Sequence, residues 1–126
     1  WLPFLWTGGS PEGSWYRSNV FLLSTNADSD TVVTVTLVDY AHNVRGSKDI
    51  TLARLAQTQI NDVGSFFGYL TCFYGCPSDT PQPEEILLSL SVRSGGPVAA
   101  GGSIIDNLTG ASLYVSVVKA SALQAR

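Results

Sequence analysis

Residues 15–40 carry the feature that most restricts what this chain can become. They read WYRSNVFLLSTNADSDTVVTVTLVDY: an apolar run, a short polar segment, and a second run in strict alternation. Within Thr31–Val38, Val33, Val35 and Leu37 fall on one side, and Thr34 and Thr36 fall on the other together with Val32 and Val38. A period of two in a β-branched run marks a half-buried strand, because successive side chains of an extended backbone point to opposite faces. Between the runs, Asn26-Ala27-Asp28-Ser29-Asp30 supplies short polar side chains that bond their own backbone and turn the chain. The segment therefore predicts an antiparallel hairpin, strand Ser18–Thr25 joined to strand Thr31–Tyr40, with one face committed to a core.

The same pattern recurs downstream. Ile86–Arg93 places Ile86, Leu88, Leu90 and Val92 on one face, and Ser112–Ala120 does the same with Leu113, Val115 and Val117. Asp49–Arg54 and Gln57–Val63 read as shorter strands, and Gly-rich Pro97–Ile105 reads as a bent one. Turn chemistry occupies residues 7–14, 41–48, 94–96 and 106–110, and residues 122–126 read as a frayed tail. Aromatic Phe66–Leu70 is placed to close one end of the core. Leu52–Gln57 is the one stretch suited to a helical turn. Seven to eight short strands with evenly spaced turns predict an all-β fold, an antiparallel immunoglobulin-like β-sandwich spanning 1–126 as a single domain. The expected core is Val20, Leu22, Val33, Val35, Leu37, Ile60, Leu88, Leu90, Val92, Leu113, Val115 and Val117.

Composition bears on where such a sandwich works. Charged residues make up only 13% of the chain and the formal net charge is −3. Neutral Ser, Thr, Gly, Asn and Gln replace the missing charge, a balance that suits β-proteins outside the cell. The few basic residues are scattered, so no stripe is available for a phosphate backbone and nucleic acid is not an expected partner. No apolar run approaches the roughly 20 residues of a membrane helix, and no membrane insertion is expected. The sequence contains no Met and opens on WLPFLW without a basic head, which reads as a mature chain whose leader has been removed.

Cys72 and Cys76, in Thr71-Cys72-Phe73-Tyr74-Gly75-Cys76-Pro77, are the two cysteines. Three residues separate them where a thioredoxin-like pair has two, and a zinc site needs about four ligands while His42 is the lone histidine. A local disulfide within the Pro-rich loop 72–85 is the first reading and two free thiols the second. Closure of so short a loop contributes only about 2–3 kcal/mol, so its value lies in local shape. If oxidised, the pair places the protein in an oxidising compartment.

Other chemistry is sparse. His42, in the turn Tyr40-Ala41-His42-Asn43, reads as a surface residue rather than a catalytic base. Glu84-Glu85 are adjacent, and in an extended segment they point opposite ways, unlike a pair of glycosidase carboxylates. Asn26, Asp28 and Asp30 have the alternate spacing of a calcium loop but lack its glycine and distant Glu, so no metal and no cofactor are expected. Asn107-Leu108-Thr109 fits a glycosylation sequon in a turn. Trp15, Tyr16, Tyr69, Phe73 and Tyr74 lie in or near loops, where aromatics either cap a sandwich or stack on sugar rings.

Residues 1–6 are apolar throughout: Trp1, Leu2, Pro3, Phe4, Leu5 and Trp6. Pro3 lacks a donor, which calls for an edge strand. Two readings stand side by side: the first strand of the chain's own sandwich, or a donor arm (Trp1, Leu2, Phe4, Leu5, Trp6) that fills a groove in a neighbouring subunit, with Thr7-Gly8-Gly9-Ser10 as its hinge.

The order of motifs adds a likeness. Trp15-Tyr16-Arg17-Ser18-Asn19-Val20, then Leu52-Ala53-Arg54-Leu55-Ala56-Gln57-Thr58, Asn61-Asp62-Val63, Phe67-Gly68 and Pro97-Val98-Ala99-Ala100 resemble the succession found in secreted bacterial and archaeal β-sandwich surface domains of poorly defined function. Here the first motif carries an additional Tyr16, the turn lacks a Pro-Gly, and the cysteine loop has no counterpart. The resemblance implies an exported surface or matrix module and carries over no catalytic residue. Together these observations predict a non-enzymatic extracellular structural protein, a subunit of a surface filament or pilus-like homopolymer joined by β-strand exchange. A carbohydrate-binding or adhesive surface module is the alternative.

Overall fold

The computed structural model describes residues 2–9, 15–39, 41–67, 84–106 and 109–116. For residues 2–9, 15, 16, 65, 84, 85 and 116 the description concerns the backbone. Eight strands and one helical turn follow in order: β1 (Leu2–Gly9), β2 (Trp15–Ser24), β3 (Thr31–Asp39), β4 (Val44–Leu52), β5 (Gln57–Ile60), α1 (Val63–Phe66), β6 (Glu84–Ser94), β7 (Val98–Asp106) and β8 (Ser112–Ser116). All pairings are antiparallel. One sheet runs β4-β3-β6-β1; in the other, β2 pairs with β7 and β5, and β7 with β8. β1 belongs to both, because Leu2–Thr7 pair with β6 and Gly8 and Gly9 pair with β2. The fold is all-β with two antiparallel sheets, as the alternation predicts. The order of the strands does not itself assign immunoglobulin connectivity.

The two inner faces share one core. Val20 and Leu22 come from β2, Val33, Val35 and Leu37 from β3, and Leu52 and Ile60 from β4 and β5. Val63 comes from α1, Ile86 and Leu88 from β6, and Val115 from β8. The alternation of Thr31–Leu37 is realised as drawn: residues 31, 33, 35 and 37 are buried. On the outer face Thr34 Oγ1 donates to Asp49 Oδ1 at 2.6 Å, and the Thr36 and Ser47 hydroxyls lie 3.0 Å apart across the β3–β4 pair. Buried Ser24 and Thr31 join hydroxyls at 3.2 Å where β2 hands over to β3, so these interior polar groups are partnered. Gly95, at φ +92°, turns β6 into β7 so close to β3 that a Cβ would lie 2.6 Å from Thr31 Oγ1.

Several expectations are corrected. Two residues assigned to the core are exposed, Val92 at 46% and Leu113 at 66%. Val92 pairs with buried Val33, but β1 flanks β6 only from residue 84 to residue 88, so beyond Leu88 that side of β6 has no described strand beside it. Leu113 lies on edge strand β8, whose described neighbour is β7 alone. Leu90 is half-buried against the core, and Val117 lies outside the described residues. Conversely Leu52, Val63, Ile86 and Val38 are buried. The turn expected over 41–48 is shorter, because β4 already begins at Val44. Its inward positions include Gly46 and Lys48, which erase the apolar alternation. Phe67 from the end of α1 fills the space over Gly46, and Lys48 Nζ lies 4.6 Å from the centre of the Phe66 ring and donates to the Phe66 carbonyl at 2.6 Å. Gln57–Val63 splits into β5 and the helical turn α1. Leu52–Gln57 forms a tight turn instead of a helical one, with Leu55 at φ 54° and the Ala56 N–H donating to the Ala53 carbonyl.

Candidate functional site

Among the described residues, the side chains that the sequence offers for chemistry lie in or beside turns. Asn26 Oδ1 accepts from the Asp28 N–H at 3.0 Å and Asn26 Nδ2 donates to Ser29 Oγ at 2.9 Å, so the Asn26 side chain braces the loop it opens. His42 sits exposed at φ 66° in the β3–β4 turn. Asp39 closes that turn. Its carboxylate accepts from the Asn43 N–H at 2.8 Å and from Arg45 Nε at 2.6 Å. The Asn43 N–H and then the Arg45 side chain hold the carboxyl below the usual carboxylate range, against the opposing effect of burial. Among the described residues no group of three or more His, Cys, Asp or Glu is placed to hold a metal, and no helix is long and apolar enough to cross a membrane.

The edges of the sheets are the remaining candidates. An edge strand presents unpaired N–H and C=O groups that invite another strand, and inward-pointing charge is one way of discouraging it. β4, at one end of the first sheet, carries such a charge in Lys48. β1, at the other end, has no charged residue in its sequence LPFLWTGG. It pairs with β6 at Leu2↔Leu88, Leu5↔Ile86, Trp6↔Glu85 and Thr7↔Glu84, with a register shift between Leu2 and Leu5. Pro3 falls inside that irregular stretch, where a missing donor disturbs the ladder least. Ile86 and Leu88, against which β1 lies, are among the most buried side chains of the molecule. Leu2, Phe4, Leu5 and Trp6 thus occupy a strand that, in the single chain, pairs with that chain's own β6. Trp1, Cys72, Cys76 and Asn107 lie outside the described residues, as do Tyr69, Phe73 and Tyr74.

Sequence reasoning did not single out Phe21 and Tyr114. They meet on the outer face of the second sheet, ring centroids 6.2 Å apart. The signal was present: both sit at outward positions of the alternation, and Gly101 pairs directly with Phe21. No protein-family model matches this chain, and neither a curated protein nor a solved structure matches it.

Proposed function

We propose that this protein is a non-enzymatic extracellular structural protein, the subunit of a surface filament whose neighbours are joined by exchange of β1. The observation that supports the reading is the position of β1: apolar in sequence, uncharged, and, among the described residues, held in the first sheet by β6 alone. A strand held in this way can leave β6 and be replaced by the same strand of a second copy in the same register. Gly8 and Gly9, where β1 passes to the second sheet, give the backbone freedom to redirect it. The donor of one copy and the acceptor edge of the next are different surfaces, so the contact is head-to-tail and generates an open chain rather than a closed dimer. Burial of Leu2, Phe4, Leu5 and Trp6 in a neighbour would contribute roughly 6–12 kcal/mol before ordering costs, at about 1.5–3 kcal/mol each, sufficient for a non-covalent joint. The neutral polar composition and the likeness to exported surface domains support the extracellular setting. In this reading Cys72 and Cys76 form a local disulfide.

Complementation tests the reading. A chain lacking residues 1–9 is expected to be monomeric with weakened stability, and a synthetic WLPFLWTGG peptide is expected to bind it and restore its melting temperature. The intact chain is expected to grow into filaments visible by electron microscopy. An intact chain that stays monomeric at high concentration contradicts the exchange.

A further inference from the structure

Alternation along β2, β7 and β8 sends Phe21, Gly101 and Tyr114 to the outer face of the second sheet, away from the core that Val20, Leu22 and Val115 enter. Phe21 and Gly101 are cross-strand partners, and Tyr114 sits on β8 opposite Ser103. The two rings reach over β7 from either side. A Cβ on residue 101 would overlap the Phe21 Cζ atom and lie 2.6 Å from the Tyr114 hydroxyl. Glycine at this position therefore lets the rings lie down on the sheet, with their planes inclined by 29°. They form a shallow aromatic plate, and Tyr114 remains 62% exposed.

The described residues next to the plate are mostly neutral. Gln59 on β5 pairs with Phe21, and Gln57 pairs with Leu23; both are exposed. Ser103 lies beside Tyr114, and Ser112 on β8 pairs with Ile105. On the outward positions of β2, β5, β7 and β8 with described side chains, Arg17 is the sole charged residue.

We propose that this face binds a neutral, flat polysaccharide chain built of β-linked hexoses with equatorial hydroxyls. Such a sugar presents a face of axial C–H bonds that packs on an aromatic plate, and its rim of hydroxyls meets amide and hydroxyl partners without needing charge. Polyanionic glycans and nucleic acids require several cations, and the described outward positions of this face offer Arg17 alone. A protein partner of standard size buries about 800 Å² on each side, far more than two rings provide. The site uses no residue of β1, so it stands or falls independently of strand exchange.

Isothermal titration of the intact chain with cellohexaose tests the proposal, with polygalacturonate as the charged comparison and thermal melts to confirm that each variant folds. Cellohexaose is expected to bind, and Tyr114→Ala to weaken it by about tenfold or more, the loss of one ring contact. Tyr114→Phe is expected to stay close to the parent, and Gln59→Ala to weaken binding less than Tyr114→Ala. Absence of cellohexaose binding overturns the proposal, as does undiminished binding by folded Tyr114→Ala. Preference for polygalacturonate also overturns it. So does a Tyr114→Ala chain that loses self-association instead of sugar, because a second copy would then be the occupant.

Discussion

Leu55 holds a backbone conformation that suits glycine. Its φ of 54° lies in the left-handed region, where a Cβ costs roughly 1–2 kcal/mol, and its side chain is largely exposed, so little burial compensates. The backbone is fixed there because the Leu55 N–H donates to the Asn26 carbonyl at 3.1 Å, tying the β4–β5 turn to the β2–β3 loop. Leu55→Gly is expected to raise stability by about 0.5–1 kcal/mol in urea unfolding, the relief of strain exceeding the added freedom of the unfolded chain. Asp39 makes a prediction in pH. Its folded pKa lies below its unfolded value of about 3.9. The stability it contributes is therefore present above that value and is lost as pH falls through the lower folded one. Asp39→Asn should lower the melting temperature at pH 7, and the gap between variant and parent should narrow toward pH 2.5. A gap of equal size at both pH values would contradict this account of the Asn43 and Arg45 contacts.

At the scale of elements, legibility followed the alternation. β3 could be read outright, because four inward positions and two outward threonines agree with a period of two. β4 could not, since Gly46 and Lys48 stand where apolar residues would announce a strand, and their complement, Phe66 and Phe67, comes from a segment about twenty residues later. Periodicity also reports a face but not how far along a strand that face stays covered. Val92 shares a face with Leu88 yet lies beyond the reach of β1. Val35→Ala and Val92→Ala separate the two effects. Truncating fully buried Val35 should cost about 2–3 kcal/mol through lost burial and a cavity, whereas Val92→Ala should change stability by about 0.5 kcal/mol or less. Of the candidate assembly strand, its apolar character and edge position were legible from residues 1–6 and Pro3. The pairing with β6 was not, because nothing local specifies which strand some eighty residues later will lie beside it. The Phe21–Tyr114 plate escaped notice for a similar reason: its two rings are brought together only by the β2–β7–β8 pairing.

At the scale of the whole molecule, the two ends of the first sheet are unlike. β4 carries an inward lysine and is ill suited to accept a strand, while β1 carries no charged residue. This asymmetry is what the filament reading requires, and the register of β1 on β6 allows a direct measurement. Trp6 and Glu85 are cross-strand partners, within the range a disulfide can bridge. In a Cys72→Ser/Cys76→Ser background, Trp6→Cys is introduced into one chain and Glu85→Cys into another, and the two are mixed and oxidised. Strand exchange predicts a covalent heterodimer on a non-reducing gel, with the 6–85 linkage identified by peptide mass. The contradicting result is an absence of that heterodimer while a single chain bearing both substitutions closes the same linkage within itself.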